Sequence, residues 1–200
     1  MKYKGVGIVH HNLTKVFHCS SRVDLPLVID TIMTSAKLLG VDANENGEIT
    51  SVDPAIVASE NMDICHLRYK VGWPIWDREF VLLEKREKFT RAQEEGGDYW
   101  VIADRSIDAD AVPVANGVVR GIAHQSGWIF EQVPGLPEHT KVTFLMQIDP
   151  KGMIPIWLAN FINVEEPLVI AKIERFLNER KSEYDDVVTT RSDRLHTVTW

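Results

Sequence analysis

The chain has 200 residues, 44% hydrophobic and 26% charged, the make-up of one ordinary globular domain and not of a disordered segment. A formal net charge of −7 excludes the basic footprint of a nucleic-acid binder and any purely electrostatic pull onto anionic membranes. The two cysteines, Cys19 and Cys65, fit no metal or redox spacing, and no apolar run approaches the roughly 20 residues that span a bilayer.

Residues 4–9 and 16–23 are predicted as two short strands. Asp24 then precedes Leu25-Pro26-Leu27, an N-cap followed by proline in a first helical turn. Leu25, Ile29, Ile32, Met33, Ala36 and Leu39 repeat at helical spacing and predict a helix up to Gly40. A polar turn over 42–47 leads to strand-like stretches at 49–52, 55–59 and 63–71. After a turn at 72–77, Phe80-Val81-Leu82-Leu83 opens another strand. Glu94-Glu95-Gly96-Gly97-Asp98 is a hairpin-like turn, and strands at 99–103, 117–123, 127–132 and 141–148 follow. In the last of these, Val142, Phe144, Met146 and Ile148 share one face at period two. A turn at 149–152 launches the longest helical pattern, residues 154–180. Its broad apolar stripe includes Ile154, Leu158, Phe161, Ile162, Ile173 and Phe176, with a kink expected at Pro167. Residues 182–200 are polar and aperiodic and are expected to form a flexible tail beyond a single 1–181 domain.

Many hairpin-spaced strands and one long terminal helix imply an α+β fold, a curved antiparallel sheet closed by that helix. A cavity between the two makes such a fold a container. Residues 1–7 lack the apolar core of a secretory signal, so the expected setting is reducing and cytoplasmic. The seven histidines show no HExxH or other metal spacing, and no phosphate loop, GxSxG elbow or Cys/His dyad is present. No catalytic residue, metal or cofactor is assigned.

Four segments in order resemble the START family of lipid-transfer domains. They are Trp73-Pro74 with Asp77-Arg78-Glu79-Phe80-Val81, Gly117-Val118-Val119-Arg120, Ser126-Gly127-Trp128, and the run from Asp149-Pro150-Lys151-Gly152 through Trp157-Leu158-Ala159-Asn160. With weaker similarity at 15–26, the resemblance covers about residues 4–180. The N-terminal helix usual in the family is nearly absent. The family Arg-Asp pair before Phe-Val is Arg78-Glu79 here.

The resemblance implies a helix-grip fold, in which a U-shaped antiparallel sheet wraps a long C-terminal helix around an internal hydrophobic tunnel. One lipid (sterol, phospholipid or sphingolipid) would lie inside and be carried between membranes by a monomer. A chain of roughly 16 carbons loses on the order of 13 kcal/mol on entering water, at about 0.8 kcal/mol per methylene, so the tunnel must be nearly as apolar as the bilayer. Phe144, Met146, Leu158, Phe161 and Ile162 are the expected lining.

Several family members place an acid and an arginine on the strands flanking the Trp-Pro loop. Arg68 and Glu84 occupy those places with the charges exchanged. They form either an inward pair that also binds a ligand hydroxyl or phosphate, or a surface pair worth under about 1 kcal/mol. His124, on one strand face with Val118, Arg120 and Ile122, falls where the ceramide-binding branch has a polar contact, as does Glu166. Arg120 itself is read as a scaffold residue. Trp73, Ile75 and Trp76 form a loop suited to transient membrane contact, since tryptophan favours the membrane interface. Polyketide cyclases share the helix-grip fold, with His124 and Glu166 as a conceivable base and orienter. A lipid sensor acting through a protein partner is a third reading.

Overall fold

The computed structural model describes residues 1–22, 25–39, 41–43, 49–52, 62–92, 96–108, 112–154 and 168–180. Its first strand, β1 (Lys2–Val9), buries Gly5 and Val9 and leaves Val6 and Ile8 exposed. Next comes a helix, α1 (Leu13–Ser20), where a strand was predicted. The Asn12 side chain accepts a hydrogen bond from the Lys15 amide at 3.0 Å and caps the first turn. Val16, Phe17 and Cys19 then turn inward at helical spacing, so packing overrides the β preference of Val16-Phe17.

The helix expected over 25–40 is only five residues long, α2 (Leu25–Ile29). The Asp30 carboxylate accepts from the Ile32 amide at 2.9 Å, and this Asx-type turn releases the chain into β2 (Met33–Leu39). There a ladder with the strand Met62–Tyr69 outweighs the helical periodicity, and a bulge between Met33 and Ser35 resets which side chains face inward.

β3 (Val41–Ala43) and β4 (Ile49–Val52) form a separate two-stranded ladder. The remaining strands are β5 (Met62–Tyr69), β6 (Asp77–Phe89), β7 (Tyr99–Ser106), β8 (Val118–Arg120), β9 (Ile122–Ala123), β10 (Ser126–Val133) and β11 (Leu136–Asp149). Among the described residues the main sheet has nine strands. Seven run in the order β1-β11-β10-β7-β6-β5-β2, all antiparallel, while β8 adds to β6 in parallel and β9 pairs with β11. This curved antiparallel sheet and its C-terminal helix are a helix-grip fold.

Of the long terminal pattern the described part is α3 (Val169–Glu179). Residues 155–167, with the expected kink at Pro167, and the tail at 182–200 lie outside the described residues, as does the strand expected at 55–59. Ile170, Ile173, Phe176 and Leu177 of α3 are buried against Val9, Ile102, Phe130, Val142 and Phe144 of the sheet and Val16 and Phe17 of α1. A Cβ on Gly7 would lie 2.9 Å from Ile170 Cγ2, so glycine there lets α3 approach β1 closely. Phe17 stacks on Trp100 at 4.1 Å between centroids and meets Phe130 edge-on at 5.8 Å. That aromatic wedge fills one end of the concave sheet and leaves the other end open for a site. Among the described residues no helix is long and apolar enough to cross a membrane.

A candidate ligand cavity

The unfilled part of the concave face is a cavity of about 240 Å³, equivalent to about eight waters at liquid density and too large for a packing defect. Strand alternation decides its lining. The register pairs Cys65 with Leu82, Leu67 with Phe80 and Trp128 with Phe144, and all six line the cavity with Met33, Leu38, Met146 and Ile148. The wedge side is closed by Trp128, tilted on Phe144 at 4.2 Å between centroids. Leu25, Pro26 and Ile29 of α2 and Val169 and Ile173 of α3 complete the wall.

The segment Ser126-Gly127-Trp128 builds part of it. Ser126 Oγ accepts from the Gln147 amide at 3.2 Å. Gly127 has φ of +150°, and a Cβ there would sit 2.1 Å from the Ile102 carbonyl oxygen. Only glycine fits where β10 leaves its turn beside β7.

The wall is mostly apolar, with Ser20, Ser21, Arg22 and Asp30 contributing polar groups around α2 and a second polar group gathered on the strands. Glu84 and Arg86 of β6 and Asp104 of β7 face the cavity, and Glu84 stands directly opposite both Asp63 on β5 and Asp104 on β7. Arg86 donates through Nε to Glu84 at 2.8 Å and through Nη2 to the Asp63 carboxylate. Burial, then the neighbouring Asp104, pushes the Glu84 carboxyl up to about 8. Burial alone pushes Asp104 up to about 6. The same burial lowers the Arg86 guanidinium and raises the Cys65 thiol, which the charges of Glu84 and Asp104 raise further.

Arg68 does not reach Glu84. It stands opposite Glu79, on the face of the sheet turned away from the cavity, and donates to Glu79 at 3.3 Å. Glu79 is fully buried there between Arg68, His66 at 2.9 Å and Arg120 at 2.7 and 3.0 Å. These three partners hold its carboxyl below the ordinary glutamate range against the cost of its burial. Arg120 also donates to the Val112 carbonyl at 2.7 Å and so ties the covering loop to the sheet.

Of the other predicted site residues, Phe144 and Met146 line the cavity. Val118, Ile122 and His124 do not. The stretch 117–123 is not one strand: it breaks at Gly121, with β8 on β6 and β9 on β11. Alternation does not carry across that break, so Ala123 faces the cavity and His124 is exposed. Leu158, Phe161, Ile162 and Glu166 lie outside the described residues. Asp63, Arg86 and Asp104 were missed: Arg86 lies two residues from Glu84 on β6, whereas Asp63 and Asp104 come beside it only through the register of β5 and β7.

At its other end the cavity reaches Tyr69, Val71, Arg78, Pro150 and Ile154. Arg78 is buried and donates to the carbonyls of Trp76, Pro150 at 2.8 Å and Lys151 at 3.1 Å. One guanidinium thereby joins the 72–76 loop to the turn before residue 154. Outside this joint Trp73 is 95% exposed, Trp76 62% and Met153 89%, while Ile75 is half-buried.

A START domain family model matches residues 46–182. Over 100 residues, half of this chain, the sequence is 26% identical to START domain-containing protein 10 of Mus musculus and of Homo sapiens. The matched stretch is 31% of those relatives' own length. Among solved structures, human STARD10 superposes with a TM-score of 0.69 at 16% identity, over 94% of this chain and 67% of that one. Human StAR-related lipid transfer protein 5 superposes at 0.66 with 18% identity, over 90% and 77% of the two chains.

Proposed function

Because the chain belongs to the START domain family, we propose that its cavity shelters one lipid and carries it between membranes unchanged. The observation that carries this reading is the cavity itself, a largely apolar space of about 240 Å³ with a minority of polar groups in its wall. Apolar walls with a few convergent polar groups are the usual build of a small-molecule site. The apolar majority matches the cost of wetting a lipid chain, and the polar minority orients one end of it.

In this reading the chain works as a cytosolic monomer that touches membranes briefly. Trp73 and Trp76, with Met153 beside them, are the contact: three large apolar side chains exposed together at the Arg78 joint. Single exposed apolar residues are normal, but a group beside a cavity marks an interaction site, and tryptophan supplies a ring suited to the headgroup level.

Native mass spectrometry of the purified chain, mixed with vesicles and re-isolated, tests the proposal. One lipid per chain, recovered by solvent extraction at the mass supplied, is the expected result. A clean apo mass would remove the carrier reading. Recovery of a chemically altered lipid would turn it toward a cyclase-like enzyme, and binding without vesicle-to-vesicle transfer toward a sensor.

A further inference from the structure

We infer that the outward face of β2 and β5, beside the 72–76 loop, is a docking surface for the anionic phospholipid headgroups of a membrane. The inference rests on the carrier reading in one respect: it takes Trp73 and Trp76 as the side from which the membrane comes.

Alternation settles which side chains share that face. Leu67 and Tyr69 of β5 line the cavity, so His66 and Arg68 point away from it. The register sets Ser35 opposite Arg68 and Lys37 opposite His66 on the edge strand β2. On the other side Glu79 of β6 stands opposite Arg68, and Arg120 of β8 is in register with Glu79. Lys70, two residues after Arg68, is exposed where the chain runs into the loop.

The ion accounting leaves this face positive. Among the described residues its cations are Lys37, Arg68, Lys70 and Arg120 and its acids are Asp77 and Glu79, an excess of two positive charges. Asp108 lies on the β7 side of β6, toward Arg120, and counting it still leaves one. Glu79, which faces Arg68, is already served by others: Arg120 donates to it at 2.7 and 3.0 Å and His66 meets it at 2.9 Å. The Arg68 bond, at 3.3 Å, is the longest of the four. Arg68 Nε has no acceptor, and the side chain is still 36% exposed. Lys37 and Lys70 are exposed and have no acid partner among the described residues.

Phosphate oxygens supply what these groups lack, since guanidinium and ammonium bind them through charge-assisted hydrogen bonds. Position picks their source. Val71 and Gly72 alone separate Lys70 from Trp73, and Trp73 and Trp76 are mostly exposed. A bilayer that takes those rings at headgroup depth therefore brings its headgroups against Lys70 and Arg68. Arg68 stands roughly 7 Å from Lys70 along the strand, and Lys37, at the level of His66, roughly 7 Å farther; long basic side chains bridge such gaps. A free anion would gain nothing from the rings. The net charge of −7 opposes approach to an anionic surface, but screening confines each charge to about 8–10 Å. The basic face thus acts once the tryptophans have made contact, and the two together read a membrane that is anionic.

The test is flotation of the full chain with vesicles of phosphatidylcholine alone, or of phosphatidylcholine with about a fifth phosphatidylserine. Each basic residue at an anionic surface is worth roughly fivefold in binding. At about 0.05 M salt the parent chain is expected to bind the mixed vesicles at least roughly tenfold more tightly, and at about 0.5 M to lose the preference. Lys37→Gln with Lys70→Gln, both outside the buried Glu79 cluster, should remove most of the preference and leave binding to pure phosphatidylcholine as in the parent. Adding Arg68→Gln should remove the rest. Equal binding of the two vesicle types by the parent would overturn the inference, and so would a preference that survives the Lys37 and Lys70 substitutions. Inorganic phosphate that displaces the chain better than chloride at equal ionic strength would mark a site for the free anion and overturn it as well. A parent chain that floats with neither vesicle would instead remove membrane contact by the 72–76 loop, and this inference with it.

Discussion

Glu84 would be an ordinary outward-facing acid if β6 ran one residue out of register, because alternation sends neighbouring side chains to opposite faces. Its inward position has a thermodynamic signature. Its folded pKa of about 8 lies above the ordinary 4.5, so its contribution to stability is fully present below pH 4.5 and is lost as pH rises through 8. Asp104, raised to about 6, acts in the same direction. Chemical denaturation of the apo chain is therefore expected to show lower stability at pH 8 than at pH 5, by on the order of a few kcal/mol. Glu84→Gln should flatten most of that slope; an unchanged slope would mean that Glu84 is solvated. The sequence made Glu84 visible through its place after Arg78-Glu79-Phe80-Val81, but not its partner. Which β5 residue faces it depends on how the chain turns through 70–76; the family resemblance pointed to Arg68, and the register places Asp63 there.

At the scale of elements, legibility followed the strength of the local pattern. β11, with its long period-two run, was readable, as was the motif at Ser126-Gly127-Trp128, whose glycine answers to a 2.1 Å approach of the Ile102 carbonyl. α1 was not readable as a helix, because its Asn12 cap stands before β-favouring residues and only tertiary packing decides between the two. β2 was mistaken for helix because its apolar residues fit a helical stripe, while the bulge that lets them serve an edge strand is invisible in one dimension. The 72–76 loop carries its own expectation. Trp73 and Trp76 are mostly exposed, so replacing both with alanine should leave the unfolding midpoint in place. Fluorescence-monitored transfer between vesicles should slow several-fold. Unchanged transfer would remove membrane contact by this loop.

At the scale of the whole molecule, the sheet and α3 enclose a space that they do not fill. A fold with an unfilled core forfeits packing contacts, and a ligand that occupies the space restores them. A lipid present at 100 times its dissociation constant would stabilise the folded chain by about 2.7 kcal/mol. Delipidated protein is thus expected to melt several degrees lower than protein re-isolated from vesicles, by differential scanning calorimetry; equal midpoints would argue that the cavity stays empty. The container was legible because curved-sheet-plus-helix architecture follows from element order. The polar corner was only partly so, because it is assembled across three strands.

One strand links the two ends of the cavity: Arg78, at the exposed loop, and Glu84 lie on the same face of β6, roughly 20 Å apart at about 3.3 Å per residue. The charged corner is therefore the inner end and the tryptophan loop the outer one. If the cavity carries a lipid whose polar end meets that corner, the lipid boards head first and leaves tail first. A lipid in a bilayer already presents its head to a protein resting on the surface, so loading is a slide along the lipid's own long axis, with no somersault at the doorway.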